Sequence, residues 1–246
     1  MHTLLRRLRR NRLALLTALP MATIGLVGGC SSPPLAPNAD PAAISVSVPA
    51  KQIYFPGKRD KRYLDTKSQM IQVRRFTDAA ADGSWTMTSG DAKLIDSTPE
   101  VGLALQVLTF VPLEDGGVGL RAVIDYSENA LTTYTPPLVL MPNTLGPGGW
   151  TTQSDVRLTY ANNPDEERST GKASLELKII KAAGTGKDQL VTISSLLKIS
   201  LSPANVTEEE VRDVGPDGIV REHERRVVKV GFLTIERVEH LFELQP

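Results

Sequence analysis

Two histidines and several runs of acid are the side chains of this sequence best suited to chemistry. His223 lies within Arg221-Glu222-His223-Glu224-Arg225-Arg226, and His240 lies between Glu239 and Leu241. An imidazole between two carboxylates resembles part of a metal-ligand set. On an extended chain, however, alternate side chains project to opposite faces, which parts His223 from Glu222 and Glu224. Zinc takes three or four converging ligands, and no HExxH spacing or second histidine–carboxylate cluster supplies them. The expectation is a charged, solvated strand and no metal site. Acid runs also occur at Glu114-Asp115, Asp165-Glu166-Glu167 and Glu208-Glu209-Glu210. Glycoside hydrolysis needs two carboxyls facing each other across a cleft, whereas adjacent acids in polar loops mostly solubilise. Nor do they follow the calcium-loop pattern of an EF-hand. Gly184-Thr185-Gly186-Lys187 lacks the spacing and the following helix of a phosphate loop and reads as a hairpin turn. No Gly-x-Ser-x-Gly elbow is present. No catalytic residue and no cofactor are therefore expected. The alternative, a hydrolase using carboxylates with His223 or His240, requires these groups to converge in one cleft.

The remaining reactive side chain is the single cysteine, Cys30. It follows a basic stretch, MHTLLRRLRRNR, and a run of 17 uncharged residues from Leu13 to Gly29. A basic segment followed by an apolar one is the layout of a secretory signal, which is set aside when the fold is considered. The run is at the lower limit for spanning a bilayer, and Pro20, Gly25, Gly28 and Gly29 weaken it as a permanent helix. The arginine pairs Arg6-Arg7 and Arg9-Arg10 match a twin-arginine export signal poorly.

Val27-Gly28-Gly29-Cys30 resembles the lipobox of bacterial lipoproteins, in which an aliphatic residue and two small ones precede the cysteine. The resemblance implies cleavage between Gly29 and Cys30, a thioether from the Cys30 sulfur to diacylglycerol, and an amine open to a further acyl chain such as palmitate. Each buried methylene contributes about 0.8 kcal/mol, and stable anchoring takes about two chains, which a diacylated cysteine provides. With its only thiol lipidated, the mature protein has none for catalysis. Ser31, where related lipoproteins often carry an inner-membrane retention aspartate, implies transfer to the outer membrane, facing the periplasm, in an organism that has one.

Charge narrows the partners. The whole chain balances 28 Lys+Arg against 28 Asp+Glu. All five arginines ahead of Cys30 are lost on cleavage, leaving the mature chain near −5. A mildly acidic surface is poorly suited to phosphate backbones, so nucleic acid is not an expected partner. The expected partners are the membrane, through the Cys30 lipid, and a lipid, peptide or envelope protein. Nothing in the sequence bears on oligomeric state.

Residues 30–43, with Pro33, Pro34, Pro37 and Pro41, favour extended conformations and read as a tether. From residue 44 to 246 period-two patterns recur. Examples are Ile44, Val46 and Val48; Val101, Leu103, Leu105 and Val107; and Val118, Leu120, Ala122, Ile124 and Tyr126. Further stripes are Val156, Leu158 and Tyr160; Ala173, Leu175, Leu177 and Ile179; Val191, Ile193, Leu197, Ile199 and Leu201; and Val228, Val230, Leu233 and Ile235. Opposite positions are polar: Arg121, Arg157, Glu176, Lys178 and Lys198. One-sided strands indicate antiparallel sheets with a core face and a wet face. Turn residues occur at Asp115-Gly116-Gly117, Gly184–Lys187 and Gly215-Pro216-Asp217-Gly218. Thr207 and Glu210 have capping-box spacing and suggest a short helix through Val211. Glu236 to Leu244 fits a strand or a short helix equally. Thr135-Pro136-Pro137 through Gly148-Gly149-Trp150, and Ile53-Tyr54-Phe55-Pro56-Gly57 with Gly83-Ser84-Trp85, could be crossing loops over an open edge or mouth; the favoured alternative is a loop that plugs the core with Trp150.

The expectation is one mainly β domain over 44–246: a curved antiparallel sheet, as an open half-barrel or sandwich, with little helix. A division near Pro136–Pro147 is the alternative. The order Tyr54-Phe55-Pro56, Pro136-Pro137-Leu-Val-Leu-Met-Pro, Gly148-Gly149-Trp150 and Val230–Ile235 loosely resembles uncharacterised exported β-rich proteins similar to periplasmic lipoprotein carriers. That resemblance implies a concave apolar sheet able to hold an acyl chain. The functional expectation is a non-enzymatic, lipid-anchored envelope protein.

Overall fold

In the computed structural model, residues 46–97 and 106–246 are described. The lipobox residues Val27, Gly28, Gly29 and Cys30, the tether, Ile44 and the stripe Val101–Leu105 lie outside them.

Twelve strands form one closed antiparallel barrel. In barrel order they begin with β2 (Arg59–Asp65), β3 (Met70–Phe76), β4 (Trp85–Asp91), β5 (Gln106–Pro112), β6 (Val118–Asp125) and β7 (Ala130–Met141). They continue with β9 (Trp150–Tyr160), β10 (Asn163–Ala183), β11 (Leu190–Leu201), β12 (Ala204–Gly215), β13 (Gly218–Val230) and β14 (Leu233–Leu244). Barrel neighbours follow one another along the chain, most of them joined by hairpins; between β4 and β5 the chain forms a short helix, and between β7 and β9 a two-residue strand. Closure comes from β14 returning to β2, where Phe242, Glu243 and Leu244 lie opposite Asp65, Leu64 and Tyr63. This overturns the expectation of an open half-barrel or sandwich: the first and last barrel strands remove each other's free edges, and an edge left unpaired invites association.

The apolar stripes of β9, β10 and β11 point inward as expected, and Ala173, Leu175, Leu177, Ile179, Val191 and Ile193 are buried. Bulges break the alternation elsewhere. In β6 the register against β7 shifts between Leu120 and Ala122. The lumen is then lined by Leu120, Val123 and Asp125, so Ala122 and Ile124 fall off the stripe. In β5 the lining residues are Gln106, Leu108 and Phe110, and Val107 belongs to the other face.

One end of the barrel is filled by the chain that leads into it. A two-residue strand β1 (Val48–Pro49) pairs with β8 (Thr144–Leu145), and a single turn, α1 (Ala50–Ile53), follows. Val48, Ala50 and Leu145 are fully buried there, against Leu138, Met141 and Val214. The Gln52 amide donates to the Gly215 carbonyl at 2.7 Å, and the Ala50 amide to the Asn143 carbonyl at 2.9 Å. Ile53 and Tyr54 therefore do close a mouth. Trp150 does not: it opens β9 on the surface, 40% exposed. Pro136 and Pro137 lie within β7, where they interrupt its pairing with β9 after Thr135. A proline is tolerated in a sheet where the ladder bond is already missing. Outside the barrel, α2 (Ala92–Ser97) covers β3, burying Val73 with Ala92 and Ile95.

The strands containing Glu208 and Glu236 correct two further expectations. Thr207–Val211 is the middle of β12, not a helix, and Glu236–Leu244 is strand. The capping-box spacing is overridden because β12 is hydrogen-bonded on both sides, to β11 and β13.

The outward faces of the long strands are polar. Gln153, Asp155, Arg157, Lys172, Lys178, Lys198, Arg221 and Lys229 are all exposed there. A membrane-spanning barrel has the opposite arrangement, an outward apolar band and a polar interior.

Candidate functional site: the barrel lumen

A cavity of about 400 Å³ runs inside the barrel below the Ile53–Phe55 closure. Its size lies within the usual range for small-molecule sites. The two walls differ in chemistry. Strands β4 to β11 contribute Met87, Leu108, Leu158, Leu175, Leu197 and Ile199. Strands β3, β12 and β13 contribute Arg74, Glu208, Glu210, Arg212, Glu222, Glu224 and Arg226.

The charged wall follows from register. Glu208, Glu210 and Arg212 alternate along β12, and directly opposite on β13 stand Arg226, Glu224 and Glu222. Period two brings all six to one face, and antiparallel pairing makes them neighbours. Glu222, 2% exposed, is the centre. Arg212 Nε donates to its Oε2 at 2.9 Å, and Arg74 donates to both of its oxygens. Arg212 also pairs with Glu210 and donates to the Tyr54 hydroxyl at 3.0 Å, tying the closing segment to the wall. Ser195 donates to Glu210 at 2.8 Å. Burial alone would raise the Glu222 carboxyl, but Arg74 and Arg212 outweigh it and hold the group well below the usual carboxylate range. Burial raises the Tyr54 phenol, which the Arg212 charge offsets only in part.

Glu208 and Glu224 are different. Neither has a hydrogen bond or a close ion pair among the described residues. Burial pushes both carboxyls up; the charges of Glu224 and Glu210 push Glu208 further, and those of Glu210 and Glu222 push Glu224 further. Glu224 reaches about 7. Arg226, across from Glu208, leans toward Glu236, with 3.7 Å between charged atoms.

Oxygens of Glu210, Glu222 and Glu224 lie within 4.8 Å of one another, a spacing that could hold a cation. Both oxygens of Glu222 and one of Glu210 already accept from arginine or serine, however. Glu224 and the second Glu210 oxygen are left to ligate, and two guanidiniums share the site.

The two histidines lie on opposite faces of the barrel: His240 stands directly across from Glu224 on the inner face, where Asp65 holds its ring. His223 projects outward, as alternation predicts, and its Nε2 lies 2.7 Å from Glu239. His240 Nδ1 lies 2.9 Å from Asp65 Oδ2, and Ser68 Oγ donates to the same oxygen at 2.6 Å. In a nucleophile relay the imidazole stands between hydroxyl and carboxylate. Here the carboxylate stands between them, so it orients both groups and activates neither. The acid runs at Glu114-Asp115 and Asp165–Glu167 remain at hairpin ends, and Gly184–Lys187 is the β10–β11 turn.

Sequence reasoning missed Arg74, Glu210, Arg212, Glu222 and Glu224 as lumen residues. A signal was there: charges at every second position over 208–212 and again over 222–226, each flanked by valines in phase. It points to a charged face enclosed by apolar neighbours.

No protein family, curated protein or solved structure matches this chain.

Proposed function

We propose that this protein is a lipid-anchored cell-envelope carrier that holds one amphiphile inside its barrel. The observation that carries this reading is the division of the lumen into an apolar wall and a charged wall around one cavity. Hydrocarbon lies against Leu108, Leu175 and Leu197, where each buried methylene contributes about 0.8 kcal/mol. The polar end lies against β12 and β13. The charged outward strands suit a barrel surrounded by water and tethered by the lipid on Cys30, with Val27-Gly28-Gly29 as the processing site. Ligand exchange then takes place at the surface of the membrane that bears the anchor.

The reading is tested by isolating the full chain from membranes and examining it by native mass spectrometry and solvent extraction. A stoichiometric amphiphile is expected, lost on Leu197→Trp, which fills the apolar wall. A chain free of amphiphile in both measurements, with Leu197→Trp indistinguishable from it, overturns the carrier reading.

A further inference from the structure

The carrier reading leaves open which headgroup the lumen takes, and the following inference rests on that reading. We propose that Glu208, Glu224 and Tyr134 form a receptor for a cationic nitrogen, so that the amphiphile is a hydrophobic amine or quaternary ammonium.

The first argument is the charge balance of the wall. Four carboxylates and three guanidiniums line it. Arg74 and Arg212 are consumed by Glu222 and Glu210, and Arg226 is turned toward Glu236. Glu208 and Glu224 are left facing the lumen without a counter-cation in contact. Carboxylates in such a setting are stable when a cation pairs with them, and charge-assisted hydrogen bonds are about twice as strong as neutral ones.

Tyr134 on β7 is 5% exposed and lines the cavity from the opposite side of the barrel. Its hydroxyl makes no hydrogen bond among the described residues, although buried phenols normally find a partner. Tyr134, Glu208 and Glu224 line the same cavity, and the charge of Glu208 reaches the phenol. A phenol offers a cation both an acceptor oxygen and a π face, and carboxylates beside an aromatic ring suit an ammonium group.

An anionic headgroup finds the reverse. The guanidiniums of Arg74 and Arg212 are already bonded to carboxylates. An anion reaching toward Arg226, whose buried Nε has no partner, would meet Glu208 directly opposite it and Glu224 two positions along β13. A divalent cation among Glu210, Glu222 and Glu224 would sit beside Arg74 and Arg212, with Glu224 the one acid of these three that no arginine or serine engages. Neither would explain why the cavity continues along an apolar wall.

The test uses the full chain in zwitterionic-lipid nanodiscs, with empty nanodiscs as the blank, and isothermal titration with octyltrimethylammonium, octyl sulfate, octyl glucoside and calcium. The cationic probe is expected to bind at least tenfold more tightly than octyl sulfate. Glu208→Gln with Glu224→Gln is expected to remove that preference while octyl glucoside still binds and the melting temperature does not fall. Tyr134→Phe keeps the ring and should cost several-fold for octylammonium, which can donate to the hydroxyl, and less for the trimethyl form, which cannot. Equal binding of cationic and anionic probes, or a preference that survives the double glutamine variant, overturns the ammonium receptor and leaves the carrier reading standing. So does calcium binding that the same variant abolishes while the alkyl probes show no charge preference. Failure of all three alkyl probes to bind overturns both.

Discussion

His240 Nδ1 lies 2.9 Å from Asp65 Oδ2, across the seam where the last strand closes on the first strand of the barrel. The seam is short, three residue pairs against ten or more along β10 to β14. Asp65 reinforces it, accepting bonds from Lys67 and Leu241 amides and the Ser68 hydroxyl besides His240.

Asp65 is therefore the acid-sensitive group of the closure. Its burial raises the carboxyl, but the bonds from Ser68, His240 and the two amides outweigh that and hold it at about 2, below the ordinary 3.8. A carboxyl depressed on folding contributes stability above its unfolded value and loses it as pH falls toward the folded one. The expected contribution is about 2 kcal/mol at neutral pH, lost between roughly pH 4 and 2. Asp65→Asn should remove most of that acid dependence. Denaturant unfolding between pH 2 and 6, with amide exchange read at 63–65 and 242–244, checks it. Unchanged exchange at the seam with intact acid dependence contradicts the assignment.

Glu222→Ala strands two buried guanidiniums. Breaking a buried ion network by removing one partner costs about 3–5 kcal/mol. Replacing Arg74, Arg212 and Glu222 by methionine together with Glu210→Gln removes the charges in concert, and this fourfold variant is expected to be more stable than Glu222→Ala. Urea midpoints of the fourfold variant and Glu222→Ala against the parent provide the comparison.

Glu224 works in the opposite sense to Asp65. Its carboxyl is raised to about 7 from 4.5, chiefly by burial and then by Glu210 and Glu222. The folded state holds its proton more tightly than the unfolded chain, so stability declines as pH rises from about 4.5 to 7. Glu224→Gln should flatten that decline and raise the melting temperature at pH 7.5. A melting temperature that rises with pH across this window in the parent chain would count against it.

Gly171 marks the closest backbone approach in the barrel. A Cβ built there would stand 1.8 Å from the Ser200 carbonyl oxygen on β11. Neither partner is a flexible side chain, so β10 and β11 must separate. Gly171→Ala is expected to destabilise by about 1–3 kcal/mol, the usual range for overpacking. Gly148→Ala, where nothing lies within 4 Å, serves as the control. Thermal melts of both variants decide it.

Cys30→Ser should abolish incorporation of labelled palmitate and release the chain from the membrane fraction, while leaving the barrel's melting temperature unchanged. Equal sedimentation and labelling of the variant would remove the lipoprotein expectation.

The residues of 156–201 determined their strands unaided. An apolar side chain at every second position, with Arg157, Glu176 and Lys198 between, buries one face and wets the other, and only an extended chain does that. The hairpin turns at 115–117, 184–187 and 215–218 were equally local, since glycine at positive φ needs no distant contact. Closure was not local. It depends on Phe242–Leu244 meeting Tyr63–Asp65, and no pattern within either segment names the other. The lumen was hidden for the same reason. Glu208, Glu210 and Arg212 look like a solvated acid run until β13 supplies Glu222 and β3 supplies Arg74. Whether a charged face meets water or its opposite charge is decided by which strands become neighbours, and that is a property of the closed barrel.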